Sequence, residues 1–98
     1  MTKKLSELTT FEEVLERVHE RGYLVNNLFQ HLDGTWSCSL RRPDPSASPT
    51  EGDNGKYFFE YGRGKDPVRA MKIALHNAVC MERYSHAVAQ HRLIRRVA

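Results

Sequence analysis

Gly62-Arg63-Gly64-Lys65-Asp66-Pro67-Val68-Arg69-Ala70-Met71-Lys72-Ile73-Ala74-Leu75 is the stretch on which the fold turns. Gly62 to Lys65 reads as a tight turn out of a strand. Asp66 is a good helix N-cap, and Pro67 suits the first helical position, where a missing N–H costs nothing. Val68, Met71, Ala74, Leu75, Ala78 and Val79 then recur at helical spacing as one apolar stripe. Nothing breaks that helix before about Ile94. Beyond Tyr84 few large apolar side chains remain, so the far end either projects into solvent or packs on a second copy; Met81, Tyr84, Val88 and Ile94 could form a dimer seam or equally pack on the chain's own sheet.

Working upstream, Lys56 to Tyr61 reads as a strand in which Tyr57, Phe59 and Tyr61 alternate with Phe58 and Glu60. Thr35 to Arg41 alternates cleanly: Trp36, Cys38 and Leu40 point one way, and Thr35, Ser37, Ser39 and Arg41 the other. Tyr23 to Leu32 is a third strand, ending at Asp33-Gly34, a two-residue hairpin signal. Thr9 or Thr10 caps a first helix, with Glu12 and Glu13 where a capping box needs them. Phe11, Val14, Leu15 and Val18 form its stripe, Arg21-Gly22 ends it, and Leu5 and Leu8 extend the packing. The expected class is α+β, in the order αβββα: a three-stranded antiparallel meander with both helices on one face. Residues 1–98 form one domain, with a mobile loop at about 43–55 and a basic tail at about 91–98.

Composition narrows the function classes. Ninety-eight residues bury one modest core and leave little room for a substrate cavity. No apolar run nears the roughly 18 residues of a membrane span, and no apolar stretch follows the first lysines as in a signal peptide. A cytoplasmic protein is expected. Charge is uneven: residues 1–55 carry six Lys/Arg and nine Asp/Glu, whereas residues 56–98 carry nine and three. A positive C-terminal half steers toward anionic partners, whether nucleic acid or an acidic protein patch.

No catalytic set is legible. Cys38 and Cys80 are far apart and are expected to be two buried free thiols. The five histidines, His19, His31, His76, His86 and His91, lack metal-ligand spacing, so neither a metal nor another cofactor is expected. Gly62-x-Gly64 lacks the rest of a phosphate loop. An enzyme is therefore not expected. The basic residues are more informative. Arg69, Lys72, His76 and Arg83 share one face of the last helix, Arg63 and Lys65 stand at its start, Arg41 and Arg42 end the second strand, and Arg92, Arg95 and Arg96 close the chain. Arg41, Arg42, Arg63, Lys65, Arg69, Lys72 and Arg83 are the candidate partner-binding set. For Tyr57, Phe59 and Tyr61, the packing reading makes them core, with Trp36 against them. The alternative is that they stack on bases, as on single-strand-binding sheets.

Over residues 9–84 the pattern resembles the double-stranded-RNA-binding fold, most closely in the turn and helix start quoted first. That family grips phosphates with a Lys-Lys-x-Ala-Lys cluster. Aligned on Ala70, those basic positions fall on Pro67, Val68 and Met71. Its Gly-Pro-x-His loop corresponds here to the shorter Leu32-Asp33-Gly34-Thr35. The resemblance thus implies the scaffold without its usual contacts. In size and strand–turn–helix pattern the chain is also similar to small phage accessory proteins, among them anti-CRISPR inhibitors. This second resemblance implies an inhibitor that occupies a CRISPR effector complex through its basic surface and blocks target DNA binding or cleavage. The alternative is a nucleic-acid-binding module. A homodimer is possible, and no membrane partner is expected.

Overall fold

The computed structural model describes the backbone of residues 3–43 and 57–97, and side chains over residues 3–42 and 59–83. The elements are a 3-10 turn (Leu5–Glu7), α1 (Phe11–Glu20), β1 (Leu24–Gln30), β2 (Trp36–Pro43), β3 (Tyr57–Gly64) and α2 (Pro67–Val97). The strands pair antiparallel in the order β1-β2-β3, so the αβββα expectation holds. Of the loop expected at 43–55, Pro43 ends β2 and 44–55 lie outside the described residues, as do the side chains of Tyr57, of Tyr84, Val88 and Ile94 in the expected seam, and of the tail at 91–98.

The first helix forms as its sequence dictates. Thr10 Oγ1 accepts from the Glu13 N–H at 3.2 Å, and the Glu13 carboxylate accepts from the Thr10 N–H at 3.2 Å. This reciprocal box satisfies two amides that a helix start otherwise leaves unpaired. Gly22, at φ 84°, takes the left-handed conformation that lets the Tyr23 N–H return to Val18 O. Val14 and Val18 are fully buried, with Phe11 and Leu15 partly so.

Both helices pack on one face of the sheet. Val14 and Val18 of α1, Cys38 and Leu40 of β2, and Ala70, Met71, Ala74, Leu75 and Ala78 of α2 form one core, joined by Leu8 and Tyr23. Ala70 was absent from the expected stripe, yet it is fully buried. The reason lies across from it. A Cβ built on Gly62 would stand 2.3 Å from Ala74 N and 2.5 Å from Ala70 O, and one on Gly64 would stand 2.8 Å from Ala70 N. Backbone meets backbone here, and alanines on the helix are what the bare strand accommodates.

That close approach corrects two expectations. Gly62 to Gly64 are not a turn; they are the last residues of β3, with Gly62 opposite Cys38 and Gly64 opposite Trp36. Because the glycines take the helix side, the alternate residues Phe59, Tyr61 and Arg63 face away from the helices. Phe59 is 44% and Tyr61 64% exposed, so these rings are not core and do not pack on Trp36. The hairpin after β1 also differs. Its connection has three residues, Leu32 to Gly34, with the Gly34 N–H donating to His31 O and Gly34 at φ 88°. Of the two thiols, Cys38 is buried and Cys80 exposed, since Cys80 lies off the stripe of Ala70, Ala74 and Ala78.

Candidate functional site

Among the described residues no helix packs on the outer face of the sheet. Register places its side chains in rows across the strands. Phe29, Ser37 and Arg63 form one row, Asn27, Ser39 and Tyr61 the next, and Leu24, Arg41 and Phe59 a third. Phe29 and Leu24 are 45% and 46% exposed, so four large apolar side chains stand on this face in contact with water. Isolated exposed apolar residues need no explanation, whereas a face that gathers four of them is a candidate interaction surface.

A bulge shapes the first strand. Its register shifts between Val25 and Asn27, so Val25 and Leu28 both face the helices although they are three apart. Asn26 is thereby turned outward, and its Nδ2 donates to Ser39 Oγ at 2.9 Å. Ser39 is buried beneath it on an otherwise open face. Between the Phe29 and Tyr61 rings lies a shallow hollow of about 480 Å³, floored by Ser37 and Ser39 and extending over the β3 edge to Ile73 and Asn77. There Asn77 Nδ2 donates to Tyr61 O at 2.8 Å, which pairs an edge-strand carbonyl and ties α2 to the rim.

One end of the face is held by a polar network. Arg63 donates from Nε to Thr35 Oγ1 at 2.9 Å and from Nη2 to Asp33 Oδ2 at 2.8 Å. The Thr35 hydroxyl and amide, and then Arg63, hold the Asp33 carboxyl below its usual range. His31 shares a hydrogen bond with Ser37 and lies against Phe29 with ring centroids 4.9 Å apart. Arg63 and Phe29 are thus fixed at their bases while remaining open to solvent.

The seven residues expected to bind a partner do not form one surface. Arg41 and Arg63 lie on the open face. Arg42 faces the helices: its Nη1 donates to Glu82 Oε1 at 2.9 Å and its guanidinium lies 5.4 Å from the Tyr23 ring centroid. Lys72 is also engaged internally, donating from Nζ to Leu8 O at 2.8 Å and Ser6 O at 3.3 Å, which anchors the 3-10 segment on α2. Lys65 is exposed just after β3. Arg69 is exposed beside Asp66, at 3.9 Å. Arg83 borders a separate groove between α1 and α2 with Arg17, Arg21 and His76. The helical spacing of Arg69, Lys72, His76 and Arg83 is real, but Lys72 serves packing. Phe29, Asn26 and Asn27 were not singled out, because the bulge breaks the period-two pattern that would have assigned them.

Burial pushes the Cys38 thiol up to about 11. Among the described residues no group of three or more His, Cys, Asp or Glu could hold a metal ion, and no helix is long and apolar enough to cross a membrane. No protein-family model, curated protein or solved structure matches the chain.

Proposed function

We propose that this chain is a non-enzymatic, phage-type binding protein that acts in the host cytoplasm by stoichiometric contact, with the open face of its sheet as the contact surface. The observation that carries this reading is the composition of that face: Phe29, Phe59 and Tyr61 stand exposed on it, together with Arg41 and Arg63. Aromatic rings and arginines are the side chains that dominate binding energy at interfaces, and the rings bury large area with little loss of conformational freedom. The partner favoured by the sequence resemblance is a CRISPR effector complex. Such complexes expose acidic protein surface together with guide and target strands, and either suits a positive, ring-bearing face.

Co-purification from cells that express effector complexes tests the reading, alongside an interference assay. The wild-type chain is expected to recover an effector and lower interference, and the Phe59→Ala/Tyr61→Ala variant to lose both effects while remaining folded. Failure of the wild-type chain to recover any effector, with interference unchanged, refutes the inhibitor reading. Recovery that the double substitution leaves intact refutes the assignment of the surface.

A further inference from the structure

Resting on the reading that the open face is the working surface, the geometry points to an unpaired nucleic-acid strand as what that face holds. Phe59 and Tyr61 are alternate residues of one strand, so their side chains emerge about 6.8 Å apart. That is about twice the 3.4 Å rise between stacked bases. Neighbouring bases can therefore seat on these two rings only when they are no longer stacked on each other. A duplex does not offer its base faces at all, because they are buried in its own stack. An unpaired strand offers them freely, and base–aromatic stacking is the sequence-tolerant contact by which sheets hold such strands.

The polar groups fit the same occupant. None of the strand positions on this face is acidic among the described residues; Arg41 and Arg63 are the charged ones. The Asp33 carboxylate lies in the hairpin at the end of the face and is held by Arg63 and Thr35. Two of the five Arg63 donors are committed to that network, which fixes the guanidinium two residues beyond Tyr61, where the backbone of a strand seated on the rings would pass. Ser37 and Asn27 line the hollow between Phe29 and Tyr61 and can donate to or accept from base edges. Face-to-face pairing with a second copy is disfavoured by the same charges, since a two-fold axis through the face sets arginines of both copies against one another.

The test is a fluorescence-anisotropy titration of the purified full chain with labelled oligodeoxythymidylate, which has little structure of its own, against a duplex of equal length. Binding of the unpaired strand in preference to the duplex is expected. Tyr61→Ala and Phe59→Ala are each expected to weaken it about 5- to 150-fold, while Tyr61→Trp retains it. Arg63→Gln is expected to make the log–log salt slope shallower by about 0.7, one phosphate's share for a single strand. Circular dichroism of each variant separates lost binding from lost fold. No binding at low salt, equal binding of the duplex, or an affinity unmoved by both ring substitutions overturns the inference, as does self-association that the ring substitutions abolish. If oligodeoxythymidylate fails to bind while effector recovery still depends on Phe59 and Tyr61, only the ligand assignment falls. If neither depends on them, the surface reading falls with it.

Discussion

Replacing Gly62 with alanine adds one methyl group where the backbones of β3 and α2 meet. The new Cβ would meet Ala74 N at 2.3 Å, Ala70 O at 2.5 Å and Ala74 Cα at 2.9 Å. Ordinary carbon contacts begin near 3.5 Å, so relief requires α2 and β3 to separate by about 1 Å. No rotamer change can supply this, because every atom met is backbone. A separation of that size loosens the contacts of Ala70, Met71, Ala74 and Leu75, all fully buried. Overpacking by a single group typically costs about 1–3 kcal/mol where side chains can adjust. With only backbone to yield, the expected cost is at the top of that range, about 3 kcal/mol or more, against a total of about 5–15 kcal/mol for a domain of this size. The melting temperature should fall by roughly 12–24 °C. Urea unfolding followed by circular dichroism measures the cost. Gly64→Ala, whose nearest contact is 2.8 Å, should cost less. Adding Ala74→Gly should not rescue Gly62→Ala, because the clash is with the backbone of Ala74 rather than its methyl group. A Gly62→Ala protein within about 0.5 kcal/mol of wild type, or one restored by Ala74→Gly, would show that the helix does not seat on the strand as described.

Thr10→Ala removes the hydroxyl that caps α1 and should cost about 1 kcal/mol, read from the urea midpoint. Hydrogen bonds from Lys3 and then Thr10 lower the Glu13 pKa to about 2. The stability it contributes is therefore present above about pH 4.5 and lost as pH falls toward 2; Glu13→Gln should flatten the midpoint over that window. Burial, and then the hydrogen bond to Glu82, raise the Tyr23 pKa to about 12. Stability should accordingly be full below about pH 10 and fall as pH rises through 12, and Tyr23→Phe should remove that loss. Glu82 accepts from Tyr23 at 2.6 Å and Arg42 at 2.9 Å, with Arg21 at 3.7 Å. Glu82→Ala should cost about 1.5–3 kcal/mol, because it leaves Arg42 facing the helices without its carboxylate. Alkylation of the native chain at pH 8 should label the exposed Cys80 and spare Cys38 until the protein unfolds, as peptide mapping would show.

How much of this was legible in the sequence depends on whether local chemistry had one solution or two. The start of α1 had one: Thr10 and Glu13 at that spacing make a capping box wherever an apolar stripe follows. The start of α2 at Asp66 and Pro67, and the inward side of β2, were equally constrained. The charged residues were less so. Arg42 and Lys72 look like surface, yet one meets a carboxylate among the helices and the other meets orphan carbonyls at the end of the 3-10 turn. Only the chain's return across itself supplies those partners.

The third strand had two solutions, and hydrophobicity favours the wrong one. Alternation alone permits either Phe59 and Tyr61 or Glu60 and Gly62 to face the helices. Burying the rings would gain the larger apolar area. The deciding residue is the one with no side chain. Ala70 and Ala74 bring the backbone of α2 to within van der Waals reach of β3, and only glycine at 62 leaves room for it. Once Gly62 faces inward, the pleat leaves Phe59, Tyr61 and Arg63 no choice but to face outward. The glycine that seats the helix thus also expels the rings, so the fold and the candidate binding face follow from a single side-chain deletion. A substitution that enlarges residue 62 should therefore weaken both together, whereas Tyr61→Ala should weaken binding and leave the fold intact.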